Sequence, residues 1–167
     1  MVVIAITGVP GSGKTTLAKE LAKKLNARVI NLLDFAKEQN IPMEYDAAYQ
    51  TYIVDEIKLI DKLANYIKNT NENIVVEGTF SHLLPKDVVD IFVLLKADPN
   101  ELYERLSRRE YPYHKIFENI WAQNLEVIES ELEEEGKDYL VFDTSKESPK
   151  EISDKIIKYI NDKIMTN

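Results

Sequence analysis

Between the apolar run Val2-Val3-Ile4-Ala5-Ile6-Thr7 and a helical pattern beginning at Lys14, the chain reads Gly8-Val9-Pro10-Gly11-Ser12-Gly13-Lys14-Thr15. No other segment limits the fold as tightly. A β-branched, apolar run of this kind suits a central parallel strand buried on both faces. Leu17, Leu21 and Leu25 at i+4 spacing, with Ala18 and Ala22 beside them, carry a helix to about Asn26. The segment between them fits GxxxxGK[ST] at every fixed position, and its placement between strand and helix turns backbone N–H groups and the helix N-terminus toward an anion. Lys14 is expected to reach β- and γ-phosphate oxygens of ATP, Thr15 to offer its hydroxyl to Mg²⁺, and Thr16 to contact the α-phosphate, while Gly11, Ser12 and Gly13 wrap the phosphates. A tight turn with a solvated lysine is the plain alternative, but a turn needs neither Lys nor Thr. A dinucleotide fingerprint fails, because Thr16 stands where its third glycine belongs.

Downstream, Arg28 to Leu32 reads as a short strand and Asp34 to Gln39 as a helical turn, interrupted by Asn40 and Pro42. Helical pattern resumes from about Tyr49 to Lys68, with Ile53, Ile57, Ile60 or Asp61, and Ala64 on its stripe. Ile74-Val75-Val76 and Asp90 to Leu95 are further buried strands. Asp98 reads as an N-cap with Pro99 at the first helical position. After Tyr111-Pro112-Tyr113 a long helix is expected, with Ile116, Ile120, Trp121, Leu125, Ile128 and Leu132 on its core face and Gly136 at its end. Tyr139 to Asp143 is the last strand, and Ile152, Ile156, Ile160 and Ile164 stripe a final helix opened by Ser148-Pro149. Alternating strands and helices predict an α/β fold, a five-stranded parallel sheet with helices on both faces.

The 167 residues suit one domain, and no apolar run approaches a membrane span. Cysteine is absent and the two histidines, His82 and His114, are too few for an all-histidine metal cage, so a reducing, cytoplasmic setting is expected. A formal charge of −8 opposes attachment to a nucleic-acid backbone and suits a basic protein partner better.

Val75-Val76-Glu77-Gly78 puts a carboxylate at a strand end, where it either approaches Mg²⁺ through water or is an ordinary strand-end charge. Three of the four arginines, Arg105, Arg108 and Arg109, fall within five residues. Such a cluster reads as a clamp on a transferring phosphoryl group, or as cations favoured at a helix C-terminus.

Together these residues resemble the small adenylate kinases related to the coilin-interacting nuclear ATPase protein, in their archaeal form. The resemblance rests on the loop at Gly8 to Thr16, on Glu44-Tyr45-Asp46 with Val54-Asp55-Glu56, on Val76-Glu77-Gly78 with Ser81-His82-Leu83-Leu84-Pro85, on Leu102 to Leu106 with Arg109, and on Asp143-Thr144. It implies a single P-loop NTPase domain of the nucleoside monophosphate kinase type. An insert at about 34–56 would cover the monophosphate and a short lid at about 108–118 would carry Arg109, with Asp143 to Ser148 along the adenine. Implied activities are Mg²⁺-dependent phosphoryl transfer from ATP to AMP or another nucleoside monophosphate, ATPase activity, and a role in late small ribosomal subunit maturation through a basic ribosomal protein. A nucleotide-driven assembly factor acting on that protein, or a P-loop kinase of another small metabolite such as shikimate or gluconate, are the alternatives.

Three positions depart from the family pattern. Thr79 stands where relatives usually carry a histidine tied to water activation, with His82 nearby. Glu110 replaces a glycine after the lid arginine, which is expected to stiffen the hinge. The monophosphate insert has no arginine, so Lys37 is its expected substitute. Lys14, Arg105 and Arg109 are the expected catalytic groups, and Thr15 and Glu77 the metal ligands. Asp34, Lys37, Asp46, Asp55, Glu77, Thr79 and His82 are the expected acceptor contacts; for Asp46 and Asp55, orienting the acceptor and capping a helix stand as equal readings, and His82 also reads as a loop or capping residue. Glu129 to Glu135 reads as a solvated acidic face, open to a basic partner.

Overall fold

The computed structural model describes the backbone of residues 1–166 and the side chains of residues 1–163. Ile164, the last member of the expected final stripe, lies outside the described side chains. The chain runs β1 (Val3–Thr7), α1 (Lys14–Leu25), β2 (Arg28–Asn31), α2 (Leu32–Glu38), β3 (Met43–Asp46), β4 (Thr51–Val54) and α3 (Glu56–Lys68). It continues with β5 (Ile74–Glu77), β6 (Ile91–Lys96), α4 (Pro99–Arg108), α5 (Tyr113–Asn124), α6 (Val127–Glu134), β7 (Tyr139–Asp143) and α7 (Pro149–Thr166). Five strands pair in parallel in the order β2-β5-β1-β6-β7, and β3 and β4 form a separate antiparallel hairpin.

Strand pleating sorts the core. Val3 and Ala5 of β1 join Val76 and Phe92 against Phe35 of α2 and Leu59, Leu63 and Ile67 of α3. The alternate residues Ile4 and Ile6 join Val75 and Val93 against Leu17 and Leu21 of α1 and Ile152 and Ile156 of α7. Both faces are apolar because both are covered, which is why the strands read as continuous runs. A smaller cluster of Val9, Ala97 and Leu102 seats α4 beside the glycine loop. As expected, Asp98 caps α4, its Oδ1 accepting from the Asn100 N–H at 2.9 Å, with Pro99 at the first helical position.

Two expectations are corrected. Tyr49 to Val54 is not helical: Thr51-Tyr52-Ile53-Val54, β-branched and aromatic, pairs with Met43–Asp46, and Asp55 starts α3 by accepting the Lys58 N–H at 3.1 Å. The buried stripe therefore shifts to Leu59, Ile60, Leu63, Ala64 and Ile67, leaving Ile53 and Ile57 exposed. The long helix expected after Pro112 is also divided, because Glu126 turns the chain through the left-handed region at φ 56° between α5 and α6. Gln123 fixes this corner, its side chain accepting from the Ala97 N–H at 3.0 Å and donating to the Ala97 carbonyl at 2.7 Å. With Gln123 and Ile116 inward, Trp121 is 62% exposed and outside the core.

Among the described residues, no helix is long and apolar enough to cross a membrane.

Candidate active site

Parallel strands bring their carboxyl ends to one edge, and Gly8, Asn31, Glu77, Ala97 and Thr144 all lie at or just past those ends. The glycine loop crosses this edge. A Cβ on Gly8 would fall 2.5 Å from Ser12 Oγ and 2.7 Å from the Leu95 carbonyl oxygen, so only glycine lets the loop lie so close to the sheet. Gly13 sits at φ 103° as N-cap of α1, a conformation costly to any residue with a side chain. The sequence thus forces a backbone nest whose N–H groups face outward at the start of α1.

Lys14 is buried under this nest, its Nζ donating to the Val9 carbonyl at 3.1 Å. Burial lowers its pKa to about 8, against the raising effect of Glu77, while Arg109 adds to the lowering. The lysine is held in a slot that favours an anion beside it. Ser12 Oγ is buried without a hydrogen-bond partner.

At the front of the loop, the Thr15 hydroxyl donates to Glu77 Oε1 at 3.2 Å, and Asn31 Nδ2 donates to the same oxygen at 2.6 Å. Glu77 is 3% exposed. A hydroxyl and a carboxylate oxygen at this spacing are hard donors of the kind Mg²⁺ takes when phosphates and water complete its shell. The donor set therefore fits the ion, and among the described residues no group of three or more acidic, histidine or cysteine side chains is arranged to hold a metal by itself.

Of the cavities that border the loop, two are large enough to matter for nucleotides. One, of about 470 Å³, is bounded by Lys14, Thr15 and Glu77 on the loop side and by Leu33, Tyr52, Val54, Glu56, Thr79 and Phe80 on the other. The second, of about 420 Å³, lies between Gly11, Gly13 and Thr16 and the residues Arg105, Arg108, Thr144 and Pro149. Arg109, the C-cap of α4, borders both.

Several expected site residues, whether they line these cavities or not, are tied to protein partners. Arg105 donates to the Gly11 carbonyl at 2.9 Å, to Thr144 Oγ1 at 2.9 Å and to Glu101 at 3.2 Å, bracing the loop against the chain after β7. Lys37 stands over the Tyr52 ring at 5.2 Å, and only the ring borders the first cavity. Asp34 borders a separate hollow of about 180 Å³ with Arg28 and Tyr66. Asp55 caps α3 by accepting the Lys58 N–H, whereas Asp46 accepts the Ala48 and Tyr49 N–H groups within the turn from β3 to β4, where no helix follows. Asp143 accepts the Ser145 N–H and Ser148 caps α7 through the Glu151 N–H.

His82 is not an exposed loop residue. It is 3% exposed, with Nδ1 2.8 Å from Thr7 Oγ1 and Nε2 2.6 Å from Glu131 Oε2. A carboxylate only accepts, so Nε2 carries a proton, and burial pushes the ring pKa below its usual value while Glu131 opposes that shift. Both nitrogens are committed to protein partners, which corrects the expected contact with an acceptor. His114, read as a solvated helix start, is exposed in the first turn of α5, and its Nε2 donates to the Ala48 carbonyl at 2.7 Å.

Asn31 is the residue sequence reasoning missed, and Thr144, quoted there only with Asp143 and within the stretch to Ser148, was given no role of its own. Thr144 Oγ1 donates to the Ser12 carbonyl at 2.8 Å and accepts from Arg105. Their signal was position alone, at the carboxyl ends of parallel strands where α/β sheets place their ligands.

A family model described as an AAA domain (AAA_18) matches residues 4–126. The "Putative adenylate kinase" of Pyrococcus furiosus is 38% identical over 162 residues, covering 95% of this chain and 84% of that protein. That of Pyrococcus abyssi is 40% identical over 159 residues, covering 94% and 83%. Among solved structures, shikimate kinase from Acinetobacter baumannii in complex with shikimate aligns with a TM-score of 0.67 at 15% identity, over 98% of this chain and 94% of that one, a likeness of fold. Matched by this family model over most of its length and 38–40% identical to these archaeal proteins, the chain belongs to the AAA_18 family of P-loop domains and to the family of these relatives, and it is a phosphotransferase.

Proposed function

We propose that the protein is a Mg²⁺-dependent nucleoside monophosphate kinase with AMP as its first acceptor, converting ATP and AMP into two ADP. The observation that carries this reading is Arg109, which borders both cavities while the phosphate loop lies between them. ATP would occupy the cavity of Thr16, Arg105 and Thr144, with Asp143 to Ser148 along its base, and the monophosphate that of Tyr52, Glu56 and Thr79. The hairpin within residues 34–56 then serves as the acceptor-binding insert and residues 108–118 as the lid.

In this arrangement an anionic oxygen of the acceptor phosphate attacks the γ-phosphorus of ATP. The bond from that phosphorus to the β–γ bridging oxygen breaks, and ADP leaves. The attacking oxygen is already anionic, so no general base is required and the protein's work is positioning and charge stabilisation. The loop N–H groups and Lys14 hold the β- and γ-phosphate oxygens, and Arg109 spreads its fork over charge shared between donor and acceptor. Arg105 keeps the loop in register with the chain after β7. Thr15 and Glu77 supply oxygen donors for Mg²⁺, whose chemistry when bound is to neutralise charge on the β- and γ-phosphates.

The test is steady-state ADP formation from MgATP with AMP, with each other monophosphate, and without acceptor. ADP formation that requires a monophosphate supports the reading and ranks the acceptors. Phosphate release indifferent to acceptor would contradict it and point to a nucleotide-driven assembly factor.

A further inference from the structure

The turn joining β3 to β4 is gripped by the first turn and a half of α5, a helix more than 60 residues further along the chain. Lys115 Nζ donates to the Gln50 carbonyl at 2.7 Å, His114 Nε2 to the Ala48 carbonyl at 2.7 Å, and the Tyr49 hydroxyl to Glu118 Oε1 at 3.2 Å. The Tyr49 ring stands edge-on to His114 with centroids 4.8 Å apart. Lys115 is 6% exposed and its ammonium lies 3.7 Å from the centroid of the Tyr111 ring. Among the described residues no ion pair with a carboxylate holds it; its partners are the Gln50 carbonyl and the Tyr111 side chain. Burying a lysine this way is costly for stability alone.

What the contact fixes is telling. Gln50, held in the left-handed region at φ 48°, immediately precedes β4, whose residues Thr51 to Val54 border the cavity assigned to the acceptor. Arg109 lies six positions before Lys115, at the hinge where Glu110 also takes a left-handed φ of 58°. One buried ammonium thus connects the wall of the acceptor cavity to the segment that carries the arginine shared by both cavities.

We propose that Lys115 is a positioning residue for the acceptor nucleotide, acting with His114 as a clasp on the Ala48–Gln50 turn that holds β4 against the site and sets its distance from Arg109. This rests on the acceptor reading above. The clasped turn runs directly into Thr51 to Val54, which line the acceptor cavity and not the ATP cavity, so the effect of the clasp falls mainly on the acceptor.

Lys115→Met keeps the length and burial of the side chain and removes the donor. The expected result is a KM for AMP raised about tenfold, the size of one lost hydrogen bond to a charged donor. ATP binding without acceptor stays within about twofold on the same scale, and hydrogen exchange of backbone amides in residues 43–54 becomes faster. His114→Ala is expected to move the same quantities in the same direction by less. An unchanged KM for AMP, unchanged exchange in the hairpin, or a parallel loss of ATP binding would each overturn the proposal. Exchange needs no nucleotide, so it separates failure of the clasp from failure of the acceptor reading, which would show as unmodified enzyme making no ADP in response to AMP.

Discussion

Thr15, in the first turn of α1, and Glu77, the last residue of β5, are 62 positions apart in sequence, and their side-chain oxygens lie 3.2 Å apart. Asn31 Nδ2 donates to the same Glu77 oxygen at 2.6 Å. The pair is oriented before any ion arrives. Glu77→Gln keeps the shape and removes the charge, and it is expected to raise the Mg²⁺ concentration needed for half-maximal turnover by about 10- to 100-fold, as for other residues that orient a metal shell. Titrating turnover with MgCl₂ at fixed nucleotide checks this; an unchanged midpoint would remove Glu77 from the metal site.

Arg109 is the group placed between donor and acceptor. Arg109→Ala is expected to lower kcat by about 10³-fold or more, the scale on which an arginine supplied to a transferring phosphoryl group acts. Arg28→Ala, whose partner Glu72 is 3.9 Å away on an exposed surface remote from both cavities, should leave turnover within about twofold on the arithmetic of a surface pair. Equal losses in the two variants would contradict the assignment.

His82 gives a pH signature in stability. Burial holds its folded pKa below the ordinary imidazole value of about 6.5, so the unfolded chain takes up a proton first as pH falls. Between the two pKa values the unfolded state binds more protons, and stability present above about pH 6.5 is lost as pH drops through it. Denaturant midpoints measured from pH 7.5 to 5 should fall more steeply for the native chain than for His82→Gln. Matching slopes would show that His82 is not the buried, neutral group described.

The helix register also has consequences. Leu63 is fully buried and Trp121 is 62% exposed. Leu63→Ala should cost about 2–5 kcal/mol of unfolding free energy, and Trp121→Ala should stay within about 0.5 kcal/mol. Chemical denaturation measures both, and a large loss at Trp121 would place it in the core after all.

Much of this molecule is legible in the sequence because its main signals are local. The β1 run, the glycine loop and the Leu17–Leu21 stripe each encode one element, and Asp98-Pro99 marks the start of α4 where the structure has it. Legibility fails where a tertiary contact overrides periodicity. Ile53 and Ile57 fit a helical stripe, yet Thr51–Val54 pairs with Met43–Asp46, a non-local choice that no i+4 count detects. Trp121 fits the stripe of α5, but the Gln123–Ala97 bracket and the left-handed Glu126 turn the helix away. In the site, Lys14, Thr15 and Glu77 are readable because their chemistry is set by a motif or a strand end. Asn31, Thr144 and Lys115 act through partners 39 to 65 residues away or more, and their roles exist only once the fold brings those partners close.

The central claim, that phosphate passes between two nucleotides across Arg109, is tested most directly in reverse, by giving the purified protein MgADP alone and resolving products by chromatography. The account predicts ATP and AMP appearing in equal amounts, with no inorganic phosphate. Stable ADP, or its conversion to AMP and phosphate without ATP, would contradict it.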